Sequence, residues 1–198
     1  MTANNKVELM APAGNFESLQ AGLDNGADSV YFGVEQLNMR ARATVNFVLD
    51  DLPEIARRCN EKNVRTYLTL NTIIYDHDLS IVKTLLTKAK EAGITAVIAS
   101  DQAVIMSART IGMEVHISTQ LNVTNIETVK FYAMFADTIV LSRELSLRQV
   151  KKITDDIEKE QVKGPSGNLV EIEIFGHGAL CMAVSGKCYL SLHSHNSS

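Results

Sequence analysis

The chain has 198 residues, 45 % of them hydrophobic, and its 19 basic and 23 acidic side chains give a net charge of -4 at pH 7. This composition supports one sizeable hydrophobic core and excludes a globally basic nucleic-acid-binding protein, although a local basic patch remains compatible with it. The polar residues 1–6 lack a signal-peptide core, and no apolar run approaches the roughly 20 residues of a membrane span. We therefore expect a cytoplasmic protein that makes no membrane contacts.

Short apolar segments alternate with helix-length segments along the chain. Asp101 and Ser146 are placed to cap the helices that follow them, Pro53 suits a first helical turn, and Gly93 and Gly112 suit helix ends. The predicted strands are residues 7–11, 29–32, 65–70, 96–99, 115–118, 138–141 and 170–175. The predicted helices are residues 16–25, 52–63, 79–92, 102–111, 126–135 and 147–160.

This alternation predicts an α/β fold whose parallel sheet is buried on both faces. A doubly wound sheet is an alternative, but no GxGxxG sequence follows the first strand. The short apolar strands favour a (β/α)8 TIM-barrel-like fold, truncated after about seven strands. We therefore expect residues 1–198 to be the N-terminal portion of a single barrel domain, with the remainder of a longer protein absent and two sheet edges unpaired.

The segment after the seventh predicted strand carries the strongest chemical signal. It reads FGHGALCMAVSGKCYLS and places Cys181 and Cys188 among three glycines. A thiolate pair suits an iron–sulfur cluster or zinc, because soft sulfur ligands select those metals. Two buried, inert thiols are the alternative, because CxxxxxxC is a loose spacing.

This segment resembles the signature of the peptidase U32 family. The resemblance covers nearly the whole chain in the family's order, through ELMAPAG at Glu8, GADSVY at Gly26, LNMRAR at Leu37, HISTQLN at His116 and VLSRELS at Val140. It looks closest to the branch that hydroxylates a tRNA wobble uridine. Other relatives hydroxylate ribosomal RNA or a quinone precursor without molecular oxygen. The family name comes from an older assignment as collagenase-like proteases, which is the alternative.

The resemblance implies an RNA hydroxylase that performs oxygen-independent 5-hydroxylation of wobble uridine, with prephenate as oxygen donor and a [4Fe–4S] cluster. Cys181 and Cys188 are then two of the four cluster ligands, and the other two lie outside this chain. We therefore expect the cluster in the full-length protein and not in these 198 residues alone. The expected partners are tRNA and a small dicarboxylate co-substrate, and the sequence gives no indication of oligomeric state.

Three arginines follow predicted strand ends, which is where functional groups collect in barrels of this class. They are Arg40 and Arg42 after the second strand and Arg143 after the sixth. Guanidinium groups bind carboxylates in bidentate fashion, so these residues are candidate sites for the dicarboxylate. The alternative is an ion pair with a neighbouring acid, such as Glu144 beside Arg143.

Further polar candidates follow the fifth and seventh predicted strands. Gln120 and Asn122 are candidates for reading a base edge or a carbonyl, with a loop-tying role as the alternative. His177 is a candidate catalytic proton donor or ligand, or a hydrogen-bonded loop residue. The third cysteine, Cys59, falls within an amphipathic helix and is interpreted as a core or partly exposed thiol.

Two other enzyme classes have less support in the sequence than RNA hydroxylation. The sequence has neither HExxH nor GxSxG, so a peptidase would need a cysteine nucleophile with His177 as its base. A Schiff-base lyase or aldolase would need a lysine at a strand end, and none of the predicted strand ends has one.

Overall fold

The computed structural model describes residues 7–34 and 47–178 of the chain. Seven parallel strands in these ranges form one sheet, and each strand pairs with its neighbours in sequence. The sheet curls around an interior, so the predicted TIM-barrel-like α/β fold is confirmed. The strands are β1 (Met10–Pro12), β2 (Ser29–Phe32), β3 (Arg65–Leu70), β4 (Ala96–Ala99), β5 (Glu114–Ile117), β6 (Thr138–Val140) and β7 (Glu171–Glu173).

Helices connect successive strands, and local signals set their ends. The Asp101 carboxylate accepts a hydrogen bond from the Ala103 backbone N at 2.8 Å, as an N-cap should, and Gly93 ends its helix with a left-handed φ of 86°. Both roles match the sequence prediction. The helices are α1 (Phe16–Asp24), α2 (Leu52–Glu61), α3 (Leu79–Ala92), α4 (Gln102–Thr110), α5 (Ile126–Ala133) and α6 (Leu147–Glu160).

Successive residues of a strand point to opposite faces of the sheet, so every second side chain faces the helices and the others face the barrel interior. In β4, Val97 and Ala99 belong to the large core between sheet and helices, whereas Ala96 and Ile98 belong to a smaller cluster inside the barrel. Burial on both faces explains why a strand such as β4, with the sequence AVIA, is continuously apolar.

The two outermost strands of the described sheet are β1 and β7. In residues 7–34 and 47–178, β1 pairs only with β2, and β7 pairs only with β6. None of the helices in these ranges has the length and apolar content that a bilayer crossing requires.

Candidate active site

Side chains from alternate strands meet at one level inside the barrel. The rings of Tyr67 in β3 and His116 in β5 have centroids 4.5 Å apart, and His116 Nδ1 lies 3.7 Å from Glu173 Oε2 in β7. Met10 of β1 packs against the same cluster as Tyr67. Tilted barrel strands produce such layers, in which alternate strands each contribute one side chain. Met10, Tyr67, His116 and Glu173 are called the middle layer below.

The interior next to the N-terminal ends of the strands is charged and internally paired. Tyr67 Oη donates a hydrogen bond to Glu8 Oε1 at 2.7 Å, and Glu8 also forms an ion pair with Arg65. His116 Nε2 lies 3.2 Å from Glu114 Oε1. Burial raises the pKa of Tyr67 to about 12, so its hydroxyl remains a donor at neutral pH. Glu8, Arg65 and Glu114 are called the N-terminal mouth.

The opposite end of the interior carries small hydroxyl side chains. Ile117 and Leu141 belong to the outer core, so Ser118 and Ser142, which follow them, continue the interior-facing sides of β5 and β6. Both serines are buried, and Ser142 Oγ has no hydrogen-bond partner among the described residues. A buried hydroxyl without a partner costs about 1–3 kcal/mol, so Ser142 has unused capacity to bind a polar ligand atom.

Arg143 is the one candidate arginine within the described residues, and it directly follows Ser142 in the chain. Its guanidinium carbon is 6.0 Å from the ring centroid of Phe175, which follows β7. This cation–π contact joins the segments that follow β6 and β7. Ser118, Gln120, Ser142 and Arg143 are called the C-terminal mouth. As predicted from their positions in the sequence, they follow strand C-terminal ends, where barrel active sites lie.

Gln120 and Asn122 lie in and just after a 3₁₀ turn, Thr119–Leu121. Ser118 Oγ accepts a hydrogen bond from the Gln120 backbone N at 3.4 Å and lies 3.5 Å from Gln120 Oε1. Asn122 has a left-handed φ of 53°, and its backbone N donates to Thr119 O at 3.1 Å. The backbone of Asn122 thus ends the turn, while substrate recognition by either side chain stays a prediction.

The remaining candidates differ in what the structure describes of them. His177 is exposed and follows β7 by four residues. Its catalytic role stays a prediction. The other candidates lie outside the described ranges, so their predicted roles stay predictions. They are Arg40, Arg42, Cys181 and Cys188.

Cys59 is excluded from the site. Its side chain is fully buried in α2, in the core outside the barrel, and burial raises the pKa of its thiol to about 11. The same described ranges hold no group of three or more histidine, cysteine, aspartate or glutamate side chains arranged to bind a metal ion.

The residues of the middle layer could not be recognised as a group from the sequence. Tyr67, His116 and Glu173 lie on three strands far apart in the chain, and no local motif links them. The one sequence signal that could have indicated this layer was His116, a titratable side chain within the short, otherwise apolar end of β5. A polar residue at a buried strand position indicates a partner across the interior.

Comparisons with known proteins place the chain in one family. The family model described as peptidase family U32 matches residues 14–198. A protein of Porphyromonas gingivalis named collagenase is 56% identical over 98% of this chain and 47% of its own length. A Helicobacter pylori protein named tRNA hydroxylation protein P is 36% identical over 94% of this chain and 43% of its own length.

Among solved structures, U32 peptidase Mk0906 superimposes with a TM-score of 0.65 at 13% identity, over 88% of this chain and 69% of that one. At this identity the similarity concerns the fold alone. The chain spans about half the length of the curated relatives it matches. The family match over residues 14–198 and the relatives above 30% identity lead to one conclusion. The chain belongs to peptidase family U32.

Proposed function

We propose that this protein is an RNA hydroxylase that converts the wobble uridine of tRNA to its 5-hydroxy form, with prephenate as oxygen donor. The observation that carries the proposal is the C-terminal mouth, where Ser142, whose buried hydroxyl has no partner among the described residues, directly precedes the exposed Arg143 in the chain. A neutral hydroxyl and a guanidinium fork suit a nucleobase edge and a carboxylate, respectively. The relative named for tRNA hydroxylation supports the choice of substrate.

Three residues of the C-terminal mouth and four further candidates have proposed tasks. Arg143, together with Arg40 and Arg42, binds the carboxylates of the donor. Gln120 and Asn122 bind the base edge, and their neighbour Ser142 supplies one further hydrogen bond. His177 is the candidate proton donor, because it is an exposed titratable group that follows β7.

Cys181 and Cys188 are the proposed ligands of a [4Fe–4S] cluster. β7 ends at Glu173, so the sequence that carries both thiols begins at the C-terminal side of the barrel, next to the proposed substrate site. Cysteine thiolates are the usual ligands of such clusters, and these two residues supply two of the usual four ligands. A bound cluster would supply one-electron redox chemistry. Reduced thiols and a tRNA substrate both fit a cytoplasmic location.

Peptide hydrolysis is the second candidate, favoured by the 56% identity to a protein named collagenase. The available nucleophile would be Cys181 with His177 as its base. The buried Cys59 cannot take this role, because its thiol is inaccessible and stays protonated at neutral pH.

Nucleoside analysis of a strain that lacks the gene separates the two candidates. We expect 5-hydroxyuridine derivatives to disappear from the tRNA fraction, to return with the wild-type gene and to stay absent with Cys181→Ser. Loss of a hydroxylated base from the rRNA fraction instead would identify rRNA as the substrate in place of tRNA. Unchanged nucleosides in both fractions, together with peptide hydrolysis that requires Cys181, would favour the peptidase.

A further inference from the structure

His116 is an ionisable residue in a place that barrels usually fill with branched apolar side chains. Its side chain is 3 % exposed and lies in the middle layer, with the ring of Tyr67 on one side. A buried imidazole is costly unless its nitrogens have partners. The partners of His116 are two carboxylates on different strands, Glu114 in β5 and Glu173 in β7.

The geometry around the ring favours the doubly protonated form. Nε2 lies 3.2 Å from Glu114 Oε1, and Nδ1 lies 3.7 Å from Glu173 Oε2, beyond hydrogen-bond range but within that of an ion pair. A neutral imidazole has one N–H and would point a lone pair at one of the two carboxylates. An imidazolium presents an N–H to each of them.

The other charged groups near the ring do not offset this preference. On β3, Tyr67 stays neutral and Arg65 is paired with Glu8. Burial lowers the pKa of His116, but the hydrogen bonds and charges of Glu114 and Glu173 outweigh burial, so the pKa lies above its ordinary value.

Protons can reach the ring from the N-terminal side of the barrel. A cavity of about 480 Å³ opens there, and the Glu114 side chain that contacts His116 Nε2 is part of its lining. Thr138, Glu171 and Arg65 also line this cavity. The carboxylate of Glu114 thus connects the buried imidazole to solvent.

We propose that His116 is a positioning residue that carries a proton in the folded barrel and, as an imidazolium, ties β5 to β7 across the interior. β7 is three residues long and pairs with β6 in the described part of the chain, and Glu173 at its end faces His116. It leads directly to Phe175, which lies against Arg143. Protonated His116 therefore steadies the C-terminal mouth, whatever reaction that mouth supports.

The tie has a defined pH dependence. The pKa of His116 is raised in the folded protein. The stabilisation that its imidazolium provides is therefore fully present below the pKa of an unfolded histidine, about 6.5, and is lost as the pH rises through the pKa of His116 in the folded protein. β7 should therefore loosen on the alkaline side of this window.

A direct test is an NMR titration of histidine-labelled full-length protein, with the His116 signal identified by its absence in His116→Gln. We expect His116 to be protonated at pH 6.5 and to titrate above that value. Glu173→Gln should move its midpoint downward. A neutral His116 at pH 6.5 would overturn the proposal.

Hydrogen exchange of the peptide that contains β7 tests the mechanical consequence. After correction for intrinsic rates, wild-type exchange should rise by about fivefold or more as the pH passes the His116 midpoint. His116→Gln should be fast at every pH, whereas His77→Gln, which alters an 80%-exposed histidine, should behave like the wild type. An identical pH profile in wild type and His116→Gln would show that His116 does not tie β7.

Discussion

The two ends of the barrel interior differ in how their charged side chains are paired. At the N-terminal mouth, Glu8 accepts from Tyr67 and pairs with Arg65. At the C-terminal mouth, Ser142 Oγ is buried without a partner among the described residues, and Arg143 lies over an aromatic ring. The paired charges at one end stabilise the fold, while the Ser142 hydroxyl at the other is available to a ligand.

The middle layer separates these two ends. His116 contacts Glu114 on the N-terminal side and Glu173 within its own layer, and β7 continues from Glu173 to the C-terminal mouth. Substitutions at the N-terminal mouth should therefore change stability first, and substitutions at the C-terminal mouth should change substrate binding first. The following predictions test that division, beginning with the largest effect.

Replacing a proposed cluster ligand should have the largest effect. Cys181→Ser and Cys188→Ser in the full-length protein should each reduce iron content and RNA hydroxylation to background, because a cluster that loses a thiolate is not retained. Cys59→Ala is the matched control and should keep both, since Cys59 is buried outside the barrel interior. Iron analysis after anaerobic purification is the measurement. Equal iron in wild type and the two serine variants would remove the cluster from this account.

Arg143→Met should weaken binding of the dicarboxylate donor. Loss of a charge-assisted hydrogen bond costs about 1.5–3 kcal/mol, or about tenfold to over a hundredfold in donor affinity. The fold should remain intact, because Arg143 is exposed. Donor-dependent kinetics of the purified protein give the measurement.

The matched control for Arg143 is Arg109→Met. Arg109 donates to the Phe135 carbonyl at 3.0 Å and lines the cavity on the N-terminal side. It should leave donor affinity unchanged. A similar loss in both variants would point to a general charge effect. Unchanged donor affinity in Arg143→Met would indicate that the donor binds at Arg40, Arg42 or elsewhere.

Tyr67→Phe should lower stability without changing substrate binding. The variant removes the 2.7 Å hydrogen bond to Glu8, and because Glu8 keeps Arg65 as a partner, we expect a loss of about 1–1.5 kcal/mol in unfolding free energy. Urea unfolding monitored by circular dichroism gives the value. A stability loss near zero, or a selective loss of donor affinity, would contradict the assignment of this end to the fold.

Ser142→Ala should not lower stability and should still affect binding. Its hydroxyl has no partner to lose among the described residues, so removing it should leave the unfolding free energy unchanged or raise it by up to about 1–3 kcal/mol. Affinity for the RNA or the donor should fall, as expected if the hydroxyl contacts the ligand. A destabilisation as large as that of Tyr67→Phe would mean that Ser142 already has a structural partner.

Local signals made most of the fold predictable. The bounds of β2, β3, β4, α3 and α6 match the sequence prediction, and the other ends differ by no more than three residues. Changes in hydrophobic pattern, helix-capping residues and glycines act over a few residues, so they can be recognised in a single sequence. Arg143 and Gln120 were predicted at the C-terminal mouth for a similar reason, since each follows an apolar strand.

The middle layer was not predictable in this way. Both faces of a barrel strand are buried, so the sequence of β5 does not show which of its residues face the interior. The contacts among Tyr67, His116 and Glu173 also depend on the stagger between strands, a property of the closed sheet that no single strand encodes.

The most direct test of RNA hydroxylation is transfer of labelled oxygen. Purified full-length protein, with its cluster reconstituted, is incubated without oxygen with unmodified tRNA and prephenate that carries ¹⁸O in its hydroxyl group, and the nucleosides are analysed by mass spectrometry. The account predicts ¹⁸O in 5-hydroxyuridine, with turnover that falls in Arg143→Met and not in Arg109→Met. Hydroxyuridine without the label, or no hydroxyuridine from an iron-loaded protein, would contradict it.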